Sequence, residues 1–268
     1  MTVKKVAMED LIEGFGKMRV GDAVQPFRFF DLPYELRLKV YKILLVVPKT
    51  VDLDPSNIRT IAPRLSLFYV SHRVHEEAYR IFYGRNTFRI FAIHGRFFHT
   101  RAPLLARLPT RYRAAIIKLE LRLGPGWTEP PRGWALDSRL GLADLEKAKF
   151  LRVFVECDPA SDEIFQGFRV AEDFYTKFCV NLLCGLMFQV ASLGDIEFDA
   201  YPSVKKSSPL LRSLLEAAEE EHKRILWGPE RGWDKIVDIN LVNVLEGLSL
   251  GTPSLPSRPP RKSLEVLA

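Results

Sequence analysis

The sequence predicts an α+β, or irregular α/β, fold in which N-terminal helices pack on a small mixed sheet that continues as helix-strand units. Three observations lead there. Apolar residues recur at helical spacing between Pro33 and Tyr83, short alternating segments rich in β-formers recur from Thr87 onward, and amphipathic stretches separate those segments. Strands alternating with helices favour parallel pairing, because a crossover helix covers a sheet face; antiparallel mixing stays open. The loose recurrence suggests a degenerate solenoid of irregular period.

The elements follow in order. Residues 1–25 mix Lys4, Lys5, Glu9, Asp10, Glu13 and Asp22 with few consecutive apolar positions, and read as a flexible leader with neither a secretory nor a membrane-spanning segment. A first helix is expected from about Pro33 to Leu45: Pro33 suits a first turn, where its missing N–H has no intrahelical partner, and Glu35 complements the positive end of the dipole. Leu36, Val40, Ile43 and Leu44 form one apolar stripe, with Arg37, Lys39 and Lys42 on the remaining surface. That stripe is to be buried, either internally or by a partner. Pro48, Asp54-Pro55 and Pro63 then mark a connecting stretch.

A second helix is expected from about Leu65 to Tyr83, with Leu67, Val70, Val74, Ala78, Ile81 and Phe82 on one side and Gly84 as a left-handed cap. Strands are expected at Thr87–Phe91, Ile116–Leu123, Leu151–Cys157 and Ile196–Tyr201. Helices are expected at Ala102–Leu108, Leu142–Lys149, Val170–Leu193 and Pro209–Trp227, and a loop at Gly124–Gly133. The chain thus divides into the leader, a helical module at 26–93, an α/β interaction region at 94–250 and a disordered basic tail at 251–268.

Composition excludes several classes. At 268 residues, 47% hydrophobic and 27% charged, the chain can bury a core of ordinary globular type. Cys157, Cys179 and Cys184 are odd in number and lack CxxC spacing, which argues against a disulfide framework or a zinc knuckle and for a reducing compartment, cytoplasm or nucleus. Neither a phosphate-cradling Gly-rich loop nor a nucleophile elbow nor a dinucleotide fingerprint occurs, so no catalytic residue, metal or other cofactor is assigned. An enzyme with a site built from scattered residues is the reading left over.

Phe30-Asp31-Leu32-Pro33-Tyr34-Glu35-Leu36-Arg37-Leu38-Lys39-Val40-Tyr41 is followed by Leu67-Phe68-Tyr69-Val70-Ser71 and by Glu76-Glu77-Ala78 through Phe82-Tyr83-Gly84-Arg85-Asn86-Thr87-Phe88. Together these segments, over about Phe27 to Phe91, resemble the F-box-like proteins of filamentous fungi. The resemblance implies a trihelical module that docks on a Skp1-type adaptor and brings an unknown protein client, held by the C-terminal region, to a cullin ubiquitin ligase. The contacts it implies are Leu32, Pro33, Glu35, Leu36, Val40, Ile43 and Leu44, with Val70 near the second helix. The chain departs from that pattern in a longer linker, Val46 to Arg64, and in lacking the usual tryptophan around His75.

Other groups admit a sharp and a bland reading. His72 and His75, three apart, have no carboxylate or cysteine at ligand spacing, so they read as surface histidines. Cys179 and Cys184 read as buried small hydrophobes, and Glu216, Glu219, Glu220 and Glu221 as a solvated helix face beside Lys223 and Arg224. The net charge of +6 is concentrated: no acidic residue lies between Glu77 and Glu120, a window holding Arg80, Arg85, Arg89, Arg96, Arg101, Arg107, Arg111, Arg113 and Lys118. Arg96, Arg101, Arg107, Arg111 and Arg113 are therefore candidate contacts to an acidic or phosphorylated partner. Phe88, Phe91, Phe97, Phe98 and Tyr112 interleave with the arginines in a manner compatible with nucleic acid, the competing reading being a scaffold or regulatory protein outside any ligase.

Overall fold

The computed structural model describes residues 27–125, 128–129, 131–160 and 173–233; the expected leader and basic tail lie outside them. Two compact units divide at Tyr41/Lys42, within the first helix.

In the first unit, a short 3-10 turn at Phe29–Asp31 leads into helix α1, Tyr34–Leu45. The amides of Leu36 and Arg37 both reach back to the Pro33 carbonyl, so the first turn starts on the proline as expected. Arg37 is not on the surface: it is buried, donates from Nη1 to the Leu32 carbonyl at 2.6 Å, and lies 5.6 Å from the Phe30 ring centre and 5.5 Å from that of Tyr34. An arginine stem packs well against rings while its planar head finds acceptors.

The second unit opens with a helix absent from the sequence expectation, α2 at Pro55–Leu65. Its start obeys standard capping: Asp54 accepts from the Ser56 amide and Pro55 takes the first helical position. Pro63 sits in the last turn, where only two residues follow it in the helix. Helix α3 is His72–Arg85, shorter at its start than expected because Ser66–Tyr69 forms a 3-10 turn and Ser71 caps by accepting from the Val74 amide at 3.2 Å. Gly84 does not end α3. It lies inside the helix without a positive φ, and the chain leaves at Asn86, in extended conformation.

Five strands follow in one sheet: β1 Thr87–Arg89, β2 Lys118–Leu123, β3 Phe150–Val155, β4 Asp195–Ala200 and β5 Arg224–Trp227. Their spatial order is their sequence order and all four pairings are parallel, so the antiparallel admixture does not occur among the described strands. In a monotonic parallel order, crossovers of the usual right hand put every connection on one sheet face, the arrangement of a solenoid rather than of a doubly wound fold. The connections contain one-turn helices α4 Leu104–Arg107 and α5 Thr110–Arg113, then α6 Phe174–Gln189 and α7 Pro209–Glu220. An isolated parallel bridge from Val51 to Phe88 extends the pairing beyond β1.

The other expected helices are shorter too: Ala102–Leu108 is Leu104–Arg107 and Val170–Leu193 is Phe174–Gln189. Leu142–Lys149 forms only a 3-10 turn at Leu142–Asp144 behind Gly141, whose φ is 62. Pro209–Trp227 stops at Glu220; His222 turns the chain at φ 52, and Arg224–Trp227 becomes β5.

The covered face of the sheet makes the core. Register aligns Leu119, Leu151 and Ile196; then Leu121, Val153 and Phe198; then Leu123, Val155 and Ala200, all fully buried. Each row stacks like with like across 4.7–4.9 Å strand spacings. Asn86 joins the helices to this sheet: Nδ2 donates to the Leu45 and Phe82 carbonyls at 2.9 Å each, and Oδ1 accepts from the Val47 amide at 2.8 Å.

Candidate functional site

Helix α1 has a closed and an open side. Arg37, Tyr41 and Leu45, spaced four apart, are buried. Leu36, Ile43 and Leu44 are exposed, at 42%, 76% and 44%. Among the other residues that the resemblance marks, Pro33 and Glu35 are exposed, Leu32 and Val40 are half-buried, and Val70, ahead of α3, is 67% exposed. The stripe read from periodicity as needing cover is therefore largely outward, and the true inward line runs one position away from it. Sequence reasoning missed Tyr34 and Tyr69, both exposed, the second at 90%. Tyr34 stands directly beside Pro33 and was findable; nothing in the sequence marks Tyr69.

The second feature is the sheet face opposite the core rows. One register row carries alternating charge: Asp52, Arg89, Glu120, Arg152, Glu197. Arg89 pairs with Asp52 at 2.7 Å and Glu120 at 2.8 Å, and Arg152 with Glu197 at 2.5 Å. Glu120 also accepts from the Thr50 hydroxyl at 2.6 Å. Asp199, fully buried, accepts from the amides of Ala200, Glu230 and Arg231 and from Arg152 at 3.5 Å, so it holds the turn after β5. Beside it Arg122 pairs with Glu156, donates to the Tyr201 hydroxyl at 2.5 Å and lies 4.6 Å from the Phe154 ring centre. These charges are spent on one another.

The basic window is less free than its sequence suggests. Arg113 is largely buried and is held by Asp144 at 2.6 Å and by the carbonyls of Leu105 and Leu108. Arg107 donates to the Ala102 carbonyl at 2.8 Å, Arg111 pairs with Glu76 at 2.7 Å, and Arg96 and Arg101 are exposed. Phe88 and Phe91 are buried, while Phe97, Phe98 and Tyr112 are half-buried. Tyr112 stacks on Tyr83 at 4.8 Å and Tyr83 on Phe88 at 5.4 Å.

His75 is not a surface residue. Its Nδ1–H donates to the Phe68 carbonyl at 3.2 Å, and in the neutral ring Nε2 accepts from the Tyr112 hydroxyl at 2.8 Å. His72 is exposed, as are Glu216, Glu219, Glu220 and Glu221. Cys179 is buried and Cys184 half-buried; burial raises the thiols of Cys157, Cys179 and Cys184, that of Cys157 to about 11. Raised thiols are poor nucleophiles and poor ligands at neutral pH. Among the described residues no group of three or more His, Cys, Asp or Glu is arranged to hold a metal, and no helix is long and apolar enough to cross a membrane.

Comparison of the chain with protein-family models, with curated proteins and with solved structures gives no match.

Proposed function

We propose that this chain is a non-catalytic recognition protein of the cytoplasm or nucleus, in which α1 docks on a Skp1-type adaptor and the helix-strand body holds a protein client for a ubiquitin ligase. The observation that carries the reading is the open side of α1, where Leu36, Ile43 and Leu44 face outward although the opposite side of the same helix is buried. Large apolar side chains grouped outward on a helix next to a Leu-Pro-x-Glu-Leu start suit a helix-in-groove partner. Further support comes from the linker, which folds into α2, so that three helices succeed one another between Tyr34 and Arg85, as in a trihelical docking module.

Full burial of a Leu or Ile side chain is worth about 1.5–3 kcal/mol, so removing one anchor and inserting a charge weakens docking by about 100-fold or more. The test is co-elution of the intact chain with a purified Skp1-type adaptor, repeated with Leu36→Asp and Ile43→Asp. Both variants are expected to keep the parent's circular dichroism and lose the complex. Failure of the intact chain to bind, or binding that survives both substitutions, overturns the proposal.

A further inference from the structure

The second unit holds a cavity of about 160 Å³ whose wall is almost wholly carbon. Its floor belongs to the core: Val51 ahead of α2, Ile61 on α2, Phe82 on α3 and Phe88 on β1 are all buried. Its mouth does not. Ile58 and Ala62 on α2 are exposed, and Leu65, Leu104 and Leu108 are half-buried, so the space opens to solvent between α2 and α4.

Two polar residues reach the wall, and neither brings a charge to it. Asp52 accepts from the Leu53 amide through Oδ1 at 2.6 Å and from Arg89 through Oδ2 at 2.7 Å, so its charge is compensated within the fold. Tyr83 stacks on Phe88 and on Tyr112, and burial raises its phenol, which stays neutral. A site of this kind selects by apolarity and by size. An ion or a sugar loses hydration there and gains no compensating hydrogen bonds. Water is no better held, because a buried water needs two to four polar partners. The volume sets the other bound: a cavity of about 150 Å³ lined by Leu, Ile and Phe stays dry and takes benzene or xenon. A partner's helix or strand does not fit into such a space; one ring does.

We infer that this cavity binds a small uncharged apolar group of about the size of benzene or toluene, carried by a free small molecule. Because the mouth is open, a polar substituent on that molecule stays in water while the ring is buried. The inference is independent of adaptor docking, since no residue of the cavity belongs to α1.

The test follows the backbone amide resonances of the isotope-labelled full chain during titration with benzene and with pyrimidine, a ring of the same size that is polar. The amides of Ile61, Leu65, Phe82 and Phe88 are expected to shift saturably with benzene, with a dissociation constant of about 1 mM or tighter, as burial of one ring allows. Pyrimidine is expected to leave them unmoved. Ala62→Phe, at an exposed position of the mouth, puts a ring into the space and weakens benzene about tenfold or more, while the thermal midpoint stays at or above that of the parent. Leu65→Ala enlarges the site and binds indole several-fold more tightly than the parent does, a gain that unfolding does not produce. No saturable benzene shift at those amides, a pyrimidine response equal to that of benzene, or parental benzene affinity in Ala62→Phe overturns the inference. Saturation by N-acetylphenylalaninamide with benzene inert also overturns it, and assigns the cavity to a partner's side chain.

Discussion

Asn86 gives the sharpest test of how the helices are tied to the sheet. It is 1% exposed and closes three hydrogen bonds, donating to the Leu45 and Phe82 carbonyls and accepting from the Val47 amide. In Asn86→Ala the Phe82 carbonyl keeps another donor, the backbone amide of residue 86 at 3.3 Å. The Leu45 carbonyl and the Val47 amide lose their side-chain partner. A buried polar group stranded in this way costs about 1–3 kcal/mol, and Val47 is half-exposed, so the expected loss is about 2–4 kcal/mol. Urea unfolding followed by circular dichroism reads this as a lower midpoint at unchanged slope. Asn86→Asp sharpens the test. A carboxylate still accepts from Val47 but sets negative oxygen against two carbonyls, so at pH 7 it is at least as damaging as alanine. Burial favours the protonated acid, which donates again, so part of the stability returns as pH falls. An Asn86→Ala protein within about 0.5 kcal/mol of the parent, or an Asn86→Asp protein with the parent's pH profile, refutes the reasoning.

Two further predictions follow from buried charge. Arg89→Met strands Asp52 and Glu120 inside the second unit and costs about 3–5 kcal/mol, while Asp52→Asn and Glu120→Gln added to it recover most of that loss; denaturant midpoints for the series check it. Stability falls as pH rises above 9: burial lifts the Cys157 thiol from 9.0 to about 11, so in that interval the unfolded chain releases a proton that the folded chain keeps. Cys179, Tyr83 and Tyr175, all raised by burial, act in the same direction. A midpoint at pH 10.5 equal to or above that at pH 8 contradicts this prediction.

The sequence was most legible where side-chain period and strand length coincided. Leu119, Leu121 and Leu123 alternate with polar neighbours, and β2, β3 and β4 fall within one or two residues of their expected bounds. Helix α2 is hidden in the sequence because Pro55 and Pro63 read as breakers, whereas the first fills a position that needs no N–H and the second falls in the final turn. Strand β5 was hidden because Ile225, Leu226 and Trp227 form a continuous apolar run, which fits a buried helix end as well as a strand. The charge ladder could not be read at all, since Asp52, Arg89, Glu120, Arg152 and Glu197 are neighbours only through cross-strand register. Arg113 and Arg111 look equivalent in sequence; one is largely buried and held by Asp144 and two carbonyls, and the other is exposed and pairs with Glu76.

That last contrast bears on where a partner gains its energy. A surface charge already paired within its own chain offers little to a newcomer, because the incoming group must first displace a partner held at 2.5–2.8 Å. The polar sheet face, despite its density of charge, is thus better suited to fixing strand register than to binding. What the described residues leave open on α1 is apolar: the outward side chains of Leu36, Ile43 and Leu44. Such a face favours a partner groove and is insensitive to salt. Adaptor capture is therefore expected to persist as ionic strength rises, and its loss between low and physiological salt contradicts an apolar interface.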